Sequence, residues 1–312
     1  MQQLLEISDL ITAVDPHDGH RLPVRRSEVI RRLREGGDER AVRIVARLPV
    51  DEDGVLDPDT VDRVLVRVHT ELQRLSEELR IGERLGAVLG PLFTAIREAT
   101  GRTGPFRLVD IGCGLGYLIR RLAADGALGA DVELIGVDLD AALVGEADRL
   151  ARAENLNCRF THGNAFDLPE AATVYVSTGV LHHFRGPALD RFFQAQAASP
   201  ALAFCHFDIA ATRLAPLGAW IFHRARMRHP LGRHDGVVSA RRAHSDETLL
   251  LAASVPGIRP LLYEPRGTAN PFCTTLRPVI GVRPELEAPL RRALGRDARR
   301  MAGPEHFAGA AR

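Results

Sequence analysis

Three glycines alternate with other residues in the run Asp110-Ile111-Gly112-Cys113-Gly114-Leu115-Gly116-Tyr117, directly after the apolar pair Leu108-Val109. Without a Cβ, each glycine lets the backbone turn sharply and lets a ligand lie almost against it. A dinucleotide loop of the form G-x-G-x-x-G needs its third glycine at position 117, where this chain has Tyr117. A phosphate loop ending in Gly-Lys is excluded, because all 41 basic residues are arginine. Asp138 closes a second apolar run, Val132 to Val137, at about the 20-residue spacing of a carboxylate that accepts ribose hydroxyls. Asp110, at the tip of the first run, places negative charge beside the loop. That charge repels a pyrophosphate and favours an ammonium or sulfonium.

Histidines are the next candidates. His182 and His183 are adjacent, so on a helix their side chains diverge by about 100° and do not serve one site equally. Either is a candidate general base, because imidazole titrates near neutral pH. Two neighbouring histidines lack a third ligand at suitable spacing, so no metal is expected. His234 stands in Arg233-His234-Asp235, where a carboxylate can orient the imidazole, and it is a third candidate base. His206 and Asp208 alternate with Phe207 on one strand face, as a polar pocket wall or as a satisfied hydrogen bond. Arg213, Arg224, Arg226, Arg228, Arg233, Arg241 and Arg242 crowd a stretch with Asp235 as its one acid before His244. Such a stretch suits an anionic group on a substrate, or a solvated basic face.

The elements that position these residues follow from hydrophobic periodicity. From 106 onward, apolar strand-length runs alternate with helical ones, which predicts a doubly wound, mostly parallel α/β sheet with helices on both faces. Strands are predicted near 107–111, 132–137, 157–161, 173–177 and 201–208. Residues 209–250 read as a mostly helical insertion, and Ile258–Tyr263 and Thr274–Val282 as two closing strands in antiparallel arrangement. Glu285–Met301 reads as a helix and the tail after Gly303 as frayed. Residues 1–104 read as a helical extension. Asp57-Pro58 supplies an N-cap and a first-turn proline, and Val61, Val64, Leu65, Val68, Leu72, Leu75 and Leu79 form one apolar stripe. A second helix carries Leu85, Val88, Leu89, Leu92, Phe93 and Ile96, with a kink expected at Pro91. The extension is expected to cap the substrate mouth, or to form a homodimer interface.

At this point the chain resembles the class I S-adenosylmethionine-dependent methyltransferases over about residues 105–283. The resemblance rests on four elements in the family's order and spacing: Val109-Asp110-Ile111-Gly112-Cys113-Gly114-Leu115-Gly116, Leu134–Asp140, Phe160–Pro169 and Val174–Phe184. It implies a seven-stranded Rossmann-like sheet and S-adenosyl-L-methionine as methyl donor. By resemblance, Gly112, Gly114 and Gly116 cradle the methionine part with Asp110 near its ammonium. Asp138 with Leu139 holds the ribose, and Asn164 with Ala165 or Phe166 meets the adenine. The third element usually carries Asp where this chain has Asn164, and an amide can still meet the adenine edge. Ser177-Thr178-Gly179 would floor the donor pocket. Relatives that methylate base amino groups usually carry a proline pair there, and its absence points to a small-molecule acceptor.

Hydrophobic content of 45% and charged content of 26% are ordinary for a globular protein, and 312 residues suffice for one catalytic domain with an extension. A net charge of +1 provides no global field to gather nucleic acid. Cys113, Cys158, Cys205 and Cys273 form no C-x-x-C pair, so neither disulfides nor a thiolate metal site is expected. No apolar run of about 18 residues and no leader pattern is seen, so a cytoplasmic location without a membrane span is expected. Trp220-Ile221-Phe222 before the arginine-rich stretch admits peripheral contact with an anionic membrane or a lipid-like substrate. The competing readings are a protein or RNA methyltransferase, a non-catalytic cofactor-binding regulator, and an oxidoreductase, which Tyr117 disfavours.

Overall fold

The computed structural model describes residues 4–15, 20–168, 170–264 and 276–305. Pro169, Cys273, the first residues of the expected last strand and the tail beyond 305 lie outside them. The chain begins with the helices α1 (Ile7–Ile11), α2 (Arg26–Glu35), α3 (Glu39–Val45), α4 (Pro58–Glu78) and α5 (Ile81–Thr100). Alternation follows: β1 (Phe106–Ile111), α6 (Tyr117–Asp125), β2 (Val132–Asp138), α7 (Ala141–Ala153), β3 (Arg159–His162), β4 (Val174–Thr178), α8 (Pro187–Ala198) and β5 (Ala203–Ile209). Next come α9 (Ala215–Arg226), α10 (Pro230–Arg242), α11 (Asp246–Ala253), β6 (Arg259–Tyr263), β7 (Leu276–Val282), α12 (Pro284–Leu294) and the two-residue β8 (Met301–Ala302).

The strands form one sheet in the order β3-β2-β1-β4-β5-β7-β6-β8. Strands β1 to β5 run parallel, and β7 enters antiparallel between β5 and β6. The eighth strand was read from sequence as the end of a helix. Instead the helix stops at Leu294, and Met301 and Ala302 pair with β6.

Strand periodicity explains the two layers. Phe106 and Leu108 of β1 pack with α5, α6 and α12, whereas Val109 and Ile111 pack with α8 and α11 on the other face. Helix α5 belongs to this sheet core: Leu85, Val88, Leu89, Leu92, Phe93 and Ile96 are all fully buried, and the helix continues through Pro91. Helices α1 to α4 make a separate third core that includes Leu115 after β1, Leu143 of α7, and Met227 and Leu231 from the segment 209–250. The Asp57 carboxylate caps α4 by accepting from the Thr60 amide, and Val61, Leu65, Val68 and Leu75 face inward. The third core therefore lies over the loops that leave the carboxyl ends of the strands. No described helix is long and apolar enough to cross a membrane.

Candidate functional site

Chain order reverses between β1 and β4, and ligands in open α/β sheets bind outside the strand ends at such a switch point. A cavity of about 650 Å³ opens there. Its floor is the glycine loop after β1. Its walls come from the chain start (Glu6, Asp9), from α4 (Leu65, His69, Leu72) and from α9 and α10 (Phe222, Ser239).

The glycine loop has a backbone that other residues rarely adopt. Gly114 and Gly116 have φ of +54° and +70°, and a Cβ on Gly116 would lie 2.2 Å from the Phe160 ring. On Gly114 it would lie 2.6 Å from His69 Nδ1. The loop is fastened to β2 through Asp138, whose Oδ2 accepts from the Gly114 amide at 2.7 Å and Oδ1 from the Asp140 amide at 2.9 Å. Each oxygen keeps a lone pair for a further donor. Burial raises the Asp138 carboxyl above its ordinary range, against the pull of those two amides. Asp110 is more extreme: burial, then the charge of Asp138, pushes its carboxyl well above the usual value. Its Oδ1 is buried without a hydrogen-bond partner, and so is Thr178 Oγ1 at the tip of the neighbouring β4.

Leu139, Asn164, Ala165 and Phe166 line the cavity with the loop and Asp138. Asn164 Oδ1 accepts from the Phe166 amide at 3.0 Å and shapes the turn, and the Phe166 ring meets Phe184 edge-on. Ser177 is not among the lining residues. Its Oγ pairs with His206 Nδ1 at 2.8 Å beneath the sheet, while Thr178, one residue on, faces the cavity. His206 takes the second of its two expected places, a satisfied hydrogen bond and not a pocket wall. Its Nε2 meets Gln196 Oε1 among Phe192, Phe193 and Phe204, and burial lowers its value to about 3, so the ring is neutral.

His182 and His183 lie in a short 3-10 turn, Leu181–His183, and the expected divergence of their side chains does not hold. The ring centres lie 4.4 Å apart with the planes tilted by 33°, and both rings line the cavity. Nδ1 of His182 is 2.8 Å from Asp208 Oδ1, and Nδ1 of His183 is 2.9 Å from Asp9 Oδ1. Both Nε2 atoms point to the buried Glu6, at 3.6 Å from Oε1 and 3.8 Å from Oε2. Burial pulls His183 down, but the Asp9 hydrogen bond and the Glu6 charge outweigh it and lift the imidazole to about 9.

His234 lies elsewhere. It is 5% exposed, held between Asp235 Oδ1 at 2.6 Å and Asp38 Oδ2 at 2.8 Å, and does not line the cavity. Asp235 in turn accepts from the Ile7 and Ser8 amides, so the pair fastens the chain start to α10. The seven arginines of 213–242 do not line the cavity either. Arg242 spans the His182 and His183 carbonyls and Asp9, and Arg233 donates to the Met227 carbonyl.

Sequence reasoning missed Glu6, Asp9 and His69 as site residues. Glu6 and Asp9 are more than 170 residues from the histidines they meet, and no local spacing signals that contact. His69 did leave a trace: it interrupts the apolar face of α4 one residue after Val68. Burial pushes its imidazole below the ordinary range, against the charge of Asp138.

Residues 108–199 match the family model described as Methyltransferase domain. The match spans β1 to the end of α8 and takes in the glycine loop, Asp138 and the turn at Asn164. No curated protein matches its sequence. Among solved structures it is similar to a SAM dependent methyltransferase from Aquifex aeolicus, with 15% identity over 60% of this chain and 86% of that one, TM-score 0.41. It is also similar to the plantazolicin methyltransferase BpumL in complex with SAH (12% identity, 72% and 95% covered, TM-score 0.49). A third is magnesium protoporphyrin IX methyltransferase from Synechocystis PCC 6803 with bound SAH (16% identity, 83% and 99% covered, TM-score 0.40).

Proposed function

We propose that this protein transfers a methyl group from S-adenosylmethionine to a small-molecule acceptor by in-line displacement. The observation that carries the reading is the pair of unpartnered buried oxygens, Asp110 Oδ1 and Thr178 Oγ1, on adjacent strand tips beside the glycine loop. Buried polar atoms cost free energy until a donor meets them, and an amino-acid ammonium supplies one beside Asp110. The spare lone pairs of Asp138 suit the two hydroxyls of a ribose, and the turn at Asn164, Ala165 and Phe166 suits the adenine edge. S-adenosylmethionine bound there would supply an electrophilic methyl group on a sulfonium.

The chain's own contribution is alignment, which for well-oriented groups lowers a barrier by roughly 7–11 kcal/mol. Leu65, Val68 and Leu72 of α4 and Phe222 of α9 offer apolar surface to an acceptor, opposite a polar wall of Asp9, His182 and His183. That division supports an acceptor with an apolar body and a polar reacting end. The chain start and α10 over the cavity favour a small molecule above a protein or RNA. Leu214, Leu217, Trp220 and Ile221 are all roughly half exposed on and beside α9, which supports peripheral contact with a lipid surface near the cavity.

Calorimetric titration with S-adenosylmethionine, S-adenosylhomocysteine and NAD tests the reading. The first two bind and NAD does not. Asp138→Ala removes two charge-assisted acceptors worth about 1.5–3 kcal/mol each and weakens both ligands at least 100-fold or so. Binding of NAD, or unchanged affinity in Asp138→Ala, refutes the assignment. Accumulation of S-adenosylhomocysteine with an acceptor separates an enzyme from a cofactor-binding regulator.

A further inference from the structure

We propose that Glu6, His182 and His183 form a binding site for one divalent transition-metal ion on the acceptor side of the cavity. Among the described residues these three present one carboxylate oxygen and two imidazole nitrogens within 4.8 Å of one another. Donor atoms that share an ion at about 2.0–2.2 Å stand roughly 3–3.5 Å apart. The imidazole nitrogens stand 3.6 Å from one Glu6 oxygen and 3.8 Å from the other, so the three side chains draw in when an ion binds.

The second observation is what holds the rings. Each Nδ1 faces its own carboxylate, Asp208 at 2.8 Å and Asp9 at 2.9 Å. That arrangement holds each ring by its Nδ1 and turns its Nε2 toward Glu6. Metal-ligating histidines are oriented in this way, the far nitrogen donating to a carboxylate. The gaps of 3.6 and 3.8 Å are too wide for a hydrogen bond, and a cation seated between the three groups would fill them. Asp208 is fixed in turn by the His182 and Ile209 amides. Glu6 also accepts from Ser239 Oγ at 3.0 Å, and Arg242 Nη1 lies 3.4 Å from it.

Charge agrees with a divalent ion. Glu6, Asp9 and Asp208 bring three negative charges and Arg242 one positive, which leaves a net two negative charges around the imidazoles. Two nitrogens and one oxygen suit Mn²⁺, Fe²⁺, Co²⁺, Ni²⁺ or Zn²⁺ better than Ca²⁺, whose ligands are all oxygen. Three protein donors leave positions for oxygen donors. On the methyl-transfer reading above, which this part rests on, the site selects an acceptor with a chelating hydroxyl or carboxylate.

The full-length protein, stripped with a chelator, is titrated with Co²⁺, whose visible absorption reports nitrogen and oxygen ligation, and in parallel with S-adenosylhomocysteine. One equivalent of Co²⁺ binds with a visible band. Glu6→Gln and His183→Ala abolish the band. Asp9→Asn, which touches the ion only through His183, weakens binding about 10–100-fold. S-adenosylhomocysteine binding in each variant verifies that it is folded. S-adenosylhomocysteine bound without Co²⁺ overturns the metal site and leaves the methyltransferase reading standing. Co²⁺ bound without S-adenosylhomocysteine overturns the latter alone. A Co²⁺ band that persists in both folded ligand variants places the metal elsewhere and overturns the proposal.

Discussion

Asp110→Asn separates the need of the cofactor from the need of the fold. In the free protein the buried carboxyl has a raised value, so its charge is a liability that the fold tolerates. Between the ordinary carboxylate value of about 3.9 and the raised one, the folded chain binds more protons than the unfolded chain, and stability falls as pH rises through that window. The amide removes this term, so the variant melts at the same temperature or higher and its stability varies less with pH. Affinity moves the other way. An ammonium bound to a charged acceptor gains about 1.5–3 kcal/mol and to a neutral one about 0.5–1.5. The difference of about 1–2 kcal/mol weakens S-adenosylhomocysteine about 5–30-fold. For the native protein, that affinity rises with pH across the same window. 5′-Methylthioadenosine, which keeps the ribose and adenine but lacks the amino-acid part, is the control and binds both proteins alike. Calorimetry with the two ligands decides the matter. Affinity for S-adenosylhomocysteine within twofold of the parent, or an equal loss for both ligands, would show that Asp110 does not meet the ammonium.

Gly116→Ala drives a Cβ to 2.2 Å from the Phe160 ring at a φ of +70°. It is expected to cost at least 1 kcal/mol or so by chemical denaturation, and an unchanged midpoint refutes the contact. His234 faces Asp235 from α10 and Asp38 from the cap of α3. Burial lowers its value, but those two carboxylates outweigh burial and raise it. Its stabilisation is complete below the ordinary histidine value of about 6.5 and is lost as pH rises through the raised value. Proteolysis of the chain start thus accelerates with pH in the parent but not in His234→Ala, and parallel profiles refute the clip. Trp220 is the single tryptophan and lies 46% exposed on α9. Its emission moves to shorter wavelength with anionic vesicles, and a static spectrum removes the peripheral contact.

The sheet was legible because its strands alternate within one short span. The glycine loop, Asp138 and the turn at Asn164 were legible for the same reason, since each belongs to one loop and its chemistry is local. The opposite side of the cavity was not. Ser177 and Thr178 are adjacent polar residues on a strand, and only the position of the strand's end decides which one faces the cavity. Helical geometry predicts that His182 and His183 diverge, but a 3-10 turn brings the rings side by side. Glu6 and Asp9 stand among short apolar pairs, and their partners are set by tertiary packing. His234 beside Asp235 has the local pattern of a tuned base. Asp38, from a distant loop, takes its other nitrogen and leaves it none for a substrate.

The ties between the chain start and α10 have a consequence for biosynthesis. Ile7 donates to Asp235 across 228 residues of sequence. At about 5–20 residues per second, the segment that carries Ile7 waits roughly 10–45 s for its partner to be made. The glycine loop and the five parallel strands emerge within that interval. The cofactor half of the cavity can therefore take shape first, with the wall that carries Glu6 and Asp9 closing last. A chaperone or an early-bound ligand would meet that half open.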